Sequence, residues 1–364
     1  ASPATSDERT RRICGVRSSL EVCVPRSGGH AGPMSEAMPL SILDLAIIGR
    51  DETAADAFAN SVALAQRAEG RGYERVWYAE HHNMASIASS ATSVLIAHVA
   101  AHTSTIRLGA GGVMLPNHSP LVIAEQFGTL ASLHPGRIDL GLGRAPGSDQ
   151  TTMRALRRDA RSSDRFPEDV IELQGFLRGD SKIAGVSAVP GAGTDVPLYI
   201  LGSSLFGAKL AAMLGLPYAF ASHFAPGSLI DAMQVYRREF RPSEQLAEPY
   251  AIAAVNVIAA DSDEEAQAQW TAVRRRRIAR FVAPGPELTD DEADAILASP
   301  QGRQVAQMMH YSAVGTPHHV AAYLAEFAQL AGADELMIAH ASPMIDERLH
   351  SVDLVAAAFA ATPV

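Results

Sequence analysis

The chain has 364 residues, of which 47% are apolar and 19% are charged, and its formal net charge is -10. This charge argues against a nucleic-acid partner, because binding to a phosphate backbone depends on clustered Lys and Arg side chains. No stretch approaches the roughly 20 apolar residues that span a bilayer, so the sequence predicts no membrane partner either.

Residues 1–38 differ in composition from the rest of the chain. They contain both cysteines, Cys14 and Cys23, and many Arg, Ser, Gly and Pro residues, without apolar periodicity. We predict a disordered extension over 1–38, with a transit-like segment as an alternative, and one folded domain over 39–364. Because the domain has no cysteine and the extension lacks the apolar core of a signal peptide, we expect a cytoplasmic protein.

In the first half of the domain, short β-rich runs alternate with stretches of helical periodicity. The strands are predicted over Leu40–Ile48, Arg75–Ala79, Ile106–Ala110 and Ile138–Gly143. The helices between them are predicted over Ala54–Arg71, Ser90–His102 and Leu121–Leu133.

The second half repeats this alternation with longer insertions. Its strands are predicted over Leu198–Leu201, Tyr218–Ala221, Ala251–Ala259 and Glu335–Ala339. Its helices are predicted over Leu205–Leu214, Ser228–Phe240 and Asp261–Phe281, with further helical pieces up to Leu330.

This alternation, without hairpin signals, predicts an α/β fold with parallel strands. We predict a (β/α)8 TIM barrel with insertions after strands 4 and 7, since eight strand–helix units need roughly 250 residues. A doubly wound nucleotide-binding fold is the alternative. It loses support because Gly49-Arg50-Asp51, after the first strand, is not a G-x-G-x-x-G turn.

Polar residues and glycines cluster where the predicted strands end, which is where TIM barrels carry their chemistry. Strand 2 is followed by Glu80-His81-His82-Asn83, and strand 3 ends in Gly109–Gly112, followed by Leu115–Pro120. Strands 4, 5 and 6 end in Gly141–Arg144, Gly202-Ser203-Ser204 and Ser222-His223. Taken singly, the glycines could be turn formers, Ser204 a helix cap, and Arg144 a surface partner of Asp149. Their convergence on one rim favours a functional site.

An anionic cofactor with a planar head fits these residue types. Gly202, Ser203 and Ser204 open a helix whose N–H groups suit a phosphate, and Arg144 adds a forked donor. Gly111 and Gly112 permit close approach of the backbone to a flat ring. His81 can donate or accept a proton near neutral pH. We predict no metal site, because Glu80, His81 and His82 alternate in direction along an extended segment.

Several of these segments resemble the bacterial luciferase-like flavin monooxygenase family, in particular its single-chain group. They are VWYAEHHN at Val76–Asn83, IRLG at Ile106–Gly109 followed by LPNH at Leu115–His118, and PGRIDLGLGRAPG at Pro135–Gly147. The resemblance extends in order and spacing from Leu40 to the carboxyl terminus.

The resemblance implies a (β/α)8 barrel that binds reduced FMN or, in one branch, the deazaflavin F420, and that commonly dimerises. It implies that His81 assists the chemistry of a flavin C4a-hydroperoxide and that the Gly111-Gly112 peptide is cis beneath the flavin ring. It implies that Arg144 and the Ser203-Ser204 loop bind the phosphate. Gly143 replaces a cysteine of light-emitting members, and Ser203 replaces a glutamate.

The sequence therefore predicts an FMN-dependent monooxygenase that oxygenates a small apolar or polyketide-like substrate with O2. We expect a homodimer and a separate flavin reductase. The alternatives are an F420-dependent hydride-transfer enzyme and a non-catalytic flavin-binding subunit. The insertion from Arg144 to about Pro197 and the segment Pro284–Gln304 are candidate lids, or ordinary surface loops.

Overall fold

Nine parallel strands form one sheet in the computed structural model, which describes residues 38–145, 149–282 and 288–360. The strands are β1 Leu40–Asp44, β2 Arg75–Tyr78, β3 Arg107–Met114, β4 Ile138–Gly143, β5 Leu198–Gly202, β6 Tyr218–Phe220, β7 Ala251–Ala259, β8 Ser312–Gly315 and β9 Glu335–His340. Strands β1 to β7 pair in order, β7 pairs with β9, and β9 pairs with β1, so eight strands close into a barrel. The predicted (β/α)8 barrel is confirmed.

Helices follow the strands and surround the barrel. They are α1 Ala54–Gly70, α2 Thr92–Ala100, α3 Pro120–Leu133, α4 Gln150–Ala155, α5 Phe166–Arg178, α6 Leu205–Leu214, α7 Leu229–Glu239, α8 Asp263–Phe281, α9 Asp290–Ala298, α10 Pro300–Met308, α11 Pro317–Ala331 and α12 Ile345–Ala360. Within the three described ranges, no helix combines the length and apolar character that crossing a membrane requires.

The predicted insertions lie after the fourth and seventh barrel strands. The first contains α4 and α5, and the second contains α8, α9, α10 and β8. The candidate lid Pro284–Gln304 includes α9 and the start of α10, and its residues 284–287 lie outside the described residues. The predicted extension over 1–38 also lies outside them, apart from Met38.

Strand β8 is a correction to the sequence analysis, which predicted helical pieces through this stretch. β6 pairs with Ala251–Ala253 of β7, and β8 pairs with Asn256–Ala259. Since β9 occupies the other edge of β7, β8 continues along the edge that the three-residue β6 leaves unpaired. A four-residue strand with the sequence SAVG is too short for a period-2 pattern to show.

Two strand boundaries also differ from the prediction. β1 ends at Asp44 rather than Ile48, because the Asp44 carboxylate accepts a bond from the Ala46 N–H (2.9 Å) and Ala46 adopts a φ of 48°. β3 continues to Met114 rather than ending at Ala110, so Gly111 and Gly112 belong to the strand itself.

Side chains alternate between two apolar layers. Residues on the outer face of the strands pack against the helices in the main core. Residues on the inner face fill the barrel, with Leu43, Trp77, Ala79, Tyr199, Ala219, Ile252, Ala254 and Met337 in one cluster. This period-2 alternation decides which residues beyond each strand end point towards the barrel axis.

A buried ionic network closes the amino-terminal end of the barrel. Arg75 donates to both carboxylate oxygens of Glu335 (2.9 and 3.1 Å), to Asp139 (2.7 Å) and to the hydroxyl of Tyr199 (2.8 Å). Burial opposes the charge on Arg75, but the Glu335 and Asp139 carboxylates outweigh it and raise the pKa of Arg75. With this end filled, the carboxyl-terminal mouth is the entrance to the barrel.

His340 makes the stability of the fold dependent on pH. Its buried imidazole lies between the Tyr73 hydroxyl (3.3 Å) and the Ser351 hydroxyl (3.0 Å). Burial, together with the charge of Arg348, lowers the pKa of His340 from 6.5 to about 3. The unfolded chain therefore binds one more proton than the folded chain between these values, and stability falls as the pH falls through this window.

We expect this residue to contribute roughly 2 kcal/mol of the loss in unfolding free energy between pH 6.5 and pH 5. In urea titrations, His340→Gln should lower the slope of the unfolding free energy against pH by the equivalent of one bound proton. The control is His319→Gln, at a side chain that is 69% exposed. An unchanged pH dependence in His340→Gln would contradict this explanation.

Candidate active site

His81 lies at the carboxyl-terminal mouth, on the inner side of the barrel. Trp77 and Ala79 point into the barrel, and the same alternation carried two residues further directs His81 there. His81 interacts electrostatically with His223, which follows β6 on the opposite side of the eight-strand ring. The loops after β2 and β6 therefore face each other across the mouth.

Glu80 points the other way and fixes the loop that follows β3. Its buried carboxylate bonds to His82 (2.8 Å) and His118 (2.9 Å) and accepts from the Met114 N–H (3.0 Å). Burial opposes the charge on Glu80, but the bonds to His118 and His82 prevail and lower the pKa of Glu80. Thus neighbouring residues Glu80 and His81 have different surroundings, and among the described residues no group of His, Cys, Asp and Glu could hold a metal.

Gly111 and Gly112 line the wall of the mouth, and the peptide bond between them is cis. A Cβ on Gly111 would lie 2.9 Å from Cβ of Trp77 and 3.0 Å from Cδ1 of Leu43. A Cβ on Gly112 would lie 2.7 Å from the carbonyl oxygen of Gly141. Only glycine fits at these positions, so the backbone of β3 itself forms the surface above the Trp77 ring.

Arg144 and the start of α6 form an exposed cationic corner. The guanidinium carbon of Arg144 lies 4.1 Å from the ring centroid of Phe206, in the first turn of α6. Ser204 is the N-cap residue of α6, but its side chain makes no capping bond, which leaves the first-turn N–H groups without a side-chain acceptor. The hydroxyl of Tyr218 donates to the Ser204 carbonyl (3.1 Å) and holds the loop.

The corner has the donors that an oxyanion requires. Uncapped N–H groups at a helix start attract anions, and a guanidinium beside them adds two parallel donors. Gly202 continues β5 into this loop, and Ser203 and Ser204 are both exposed. The alternative of a surface pair between Arg144 and Asp149 is not among the described contacts, in which Asp149 caps α4 and accepts from Asn83 (3.1 Å).

The structure therefore brings the sequence-predicted residues to one end of the barrel. The loops carrying His81, Arg144 and Ser203 follow the parallel strands β2, β4 and β5, and Gly111 lies within β3, between β2 and β4. The bond between Asn83 and Asp149 joins the loop after β2 to the segment after β4. The stacking of Arg144 on Phe206 joins the loops after β4 and β5.

Sequence analysis missed Arg277, which belongs to this mouth. Burial, the charge of Arg277 and the proximity of His81 lower the pKa of His223 to about 3, so His223 is neutral at neutral pH. The Asn256 amide donates to the His223 carbonyl (2.7 Å) and fixes the loop. The available signal was the run of four arginines at 274–277, which lies in an insertion rather than at a strand end.

The comparisons with known proteins agree with this geometry. The model of the luciferase-like monooxygenase family matches residues 38–335. A luciferase-like monooxygenase of Escherichia coli (strain K12) is 49% identical over 325 residues, which cover 88% of this chain and 96% of that protein. The chain belongs to the luciferase-like monooxygenase family.

Solved structures of other proteins share the fold. The crystal structure of apo-MsnO8 has a TM-score of 0.81 and 36% identity, and the match covers 90% of this chain and 100% of that one. The oxygenating constituent of 3,6-diketocamphane monooxygenase from the CAM plasmid of Pseudomonas putida, in complex with FMN, has a TM-score of 0.67. That match covers 90% of this chain and 99% of the other, and its 16% identity shows the fold alone. The protein is thus a monooxygenase built on a (β/α)8 barrel.

Proposed function

We propose that this monooxygenase uses reduced FMN and O2 to oxygenate a small organic substrate at the carboxyl-terminal mouth. The observation that carries the proposal is the corner at Arg144 and α6, beside the glycine wall of β3. A phosphorylated planar cofactor needs both features at one mouth, and the diketocamphane enzyme, with the same fold, is in complex with FMN.

The residues present fit this cofactor. Arg144 and the first-turn N–H groups of α6 would hold its phosphate, with Ser203 and Ser204 beside them. Gly111 and Gly112 would let the ring approach the backbone above Trp77, where any larger side chain would already collide. When bound, reduced FMN supplies two electrons to O2, so that one oxygen atom enters the substrate and the other leaves as water.

His81 is the proposed proton donor and acceptor of the site. It is half-buried at the inner side of the mouth, and its backbone N–H donates to the Ser89 carbonyl (3.0 Å), which anchors the loop. The neutral His223 faces it and adds no positive charge. Apolar residues below, including Leu45, Ala79 and Leu201, would receive the body of an apolar or polyketide-like substrate and exclude water.

Two partners belong to this proposal. A separate reductase would supply the reduced flavin in the cytoplasm. A second copy of the chain would cover neighbouring α2 and α3, where Val94 (69% exposed) and Leu133 (64% exposed) face outward. Size-exclusion chromatography of the protein and of Val94→Glu tests the homodimer.

The test of the function is an anaerobic titration with reduced FMN and, separately, reduced F420, followed by admission of O2. We expect reduced FMN to bind and O2 uptake to follow. Binding and anaerobic turnover with F420, without O2 uptake on FMN, would replace the proposal by hydride transfer. Binding of flavin without any turnover would indicate a non-catalytic subunit.

A further inference from the structure

Arg348 is a buried cation without an acceptor. It lies at the start of α12, where it is only 7% exposed, and its Nε is buried without a hydrogen-bond partner. Among the described residues, no carboxylate lies within ion-pair distance of its guanidinium, and no side-chain hydrogen bond satisfies it. Burying an unpaired guanidinium costs several kcal/mol. Such a residue is expected where a ligand brings the missing acceptor.

Other positive groups converge on Arg348. Arg276 of α8 donates to the Pro343 carbonyl (3.3 Å), in the loop between β9 and α12. The backbone N–H of Arg348 donates to the carbonyl of Met344 (3.0 Å), the residue after Pro343, so Arg276 and Arg348 lie at the same loop. Desolvation and the charges of Arg348 and Arg50 lower the pKa of Arg276. The hydroxyl of Ser342, next to Pro343 and 1% exposed, is also buried without a partner.

Among the described residues, the two carboxylates whose charge acts on Arg276 are already engaged. Glu52 accepts from the Gly49 N–H (2.8 Å) and the Asn60 amide (3.1 Å). Glu347 accepts from the Met344 N–H (3.0 Å). The charges of both carboxylates act to raise the pKa of Arg276, but neither carboxylate forms an ion pair with Arg276 or Arg348. Among the described residues, neither Arg276 nor Arg348 is therefore paired with a carboxylate.

The cluster lies at the mouth, across the ring from the proposed FMN phosphate site. Arg50 follows β1, and Ser342 and Arg348 follow β9, while Arg144 and Ser204 follow β4 and β5. In the eight-strand ring, β1 is opposite β5 and β9 is opposite β4. Loops after the last two strands of a TIM barrel are also a frequent place for phosphate groups.

We propose that Arg348 and Arg276 bind the oxyanion group, a carboxylate or a phosphate, of an organic substrate whose apolar part enters the barrel mouth. The statement that the bound molecule is a substrate rests on the proposed function, whereas the anion site itself does not depend on it. Ala341 and Trp270, which share an apolar cluster next to the loop, give the adjoining part of such a molecule an apolar contact.

The first experiment measures thermal unfolding at constant ionic strength, with and without inorganic phosphate. Phosphate should raise the Tm of the wild type. Arg348→Met should be at least as stable as the wild type without phosphate, because an unpaired buried charge is removed, and it should lose the phosphate response. Arg348→Lys should keep part of the response.

The matched control is Arg275→Met, in the same arginine run but paired with Asp290 and Asp294. It should lose some stability and keep the full phosphate response. A destabilised Arg348→Met together with a wild type that does not respond to phosphate would show a purely structural role and overturn the proposal. Arg276→Gln, at an exposed position, gives the same test without a substitution in the core.

The second experiment uses calorimetric titration to identify the source of the oxyanion. Hexanoate or hexyl phosphate should bind the wild type more tightly than inorganic phosphate does, and Arg276→Gln should weaken that binding by about tenfold or more. The affinity for hexanol, which has no oxyanion, should be the same in the wild type and in Arg276→Gln. Tighter binding of inorganic phosphate than of either hexyl compound would overturn the assignment to a substrate.

Titration with FMN separates this inference from the proposed function. Arg348→Met should bind FMN as the wild type does. If FMN binds through Arg144 and no anion responds to Arg348, the inference alone fails. If FMN does not bind but the anion response still depends on Arg348, the proposed function alone fails. Loss of FMN binding in Arg348→Met but not in Arg144→Ala would overturn both.

Discussion

Replacing Arg144 with alanine should weaken FMN binding by roughly 10- to 150-fold, the equivalent of one hydrogen-bonded charge pair. The guanidinium stacks on Phe206 beside the uncapped start of α6, so its loss removes the forked donor and leaves the helix N–H groups. Quenching of FMN fluorescence on titration gives the affinity directly.

The control for this result is Arg154→Ala, which removes an equal charge from an exposed position of α4. It should leave the FMN affinity within a factor of about two, because exposed charges at a distance are screened by salt. Arg144→Lys should fall between alanine and the wild type, since an ammonium keeps the charge but loses the fork. Equal affinities in Arg144→Ala and Arg154→Ala would remove Arg144 from the phosphate site.

Replacing His81 with alanine should lower oxygenation by about 10²- to 10⁴-fold, the usual contribution of one positioned acid–base group. FMN affinity should change little, because the phosphate corner lies at the loops after β4 and β5. The measurement is product formed per O2 consumed, which falls if reduced flavin is oxidised without transfer to substrate.

His98→Ala provides the comparison, since His98 is an exposed residue of α2 outside the barrel. It should retain full coupling between O2 uptake and product. Wild-type coupling in His81→Ala would show that the proton is handled by another group, and the neutral His223 would be the next residue to replace.

The barrel itself could be predicted because its signals are local. β7 was predicted over Ala251–Ala259 and α6 over Leu205–Leu214, and both boundaries are those observed. A buried parallel strand is a continuous apolar run, and a helix on its outside has period 3.6, so neither needs tertiary information. β8 was missed because its partner, not its own sequence, makes it a strand.

The candidate site could be predicted in outline because parallel strands bring their carboxyl ends to one mouth. His81, Arg144 and Ser203 follow β2, β4 and β5, and Gly111 lies in the second half of β3, so topology alone places these residues together. Arg277 and Arg276 could not be placed in this way, because the path of the α8 insertion across the mouth is set by tertiary contacts. The pairing of Arg75 with Glu335 could not be predicted either, because the two residues are 260 positions apart and only the tertiary fold brings them together.

The most direct test of the central claim is a crystal structure of the protein with FMN. We expect the phosphate within hydrogen-bond distance of Arg144 and of the N–H groups that begin α6, with the ring against Gly111 and Gly112 and His81 beside it. A phosphate bound at Arg348, or a ring away from the β3 wall, would contradict the account.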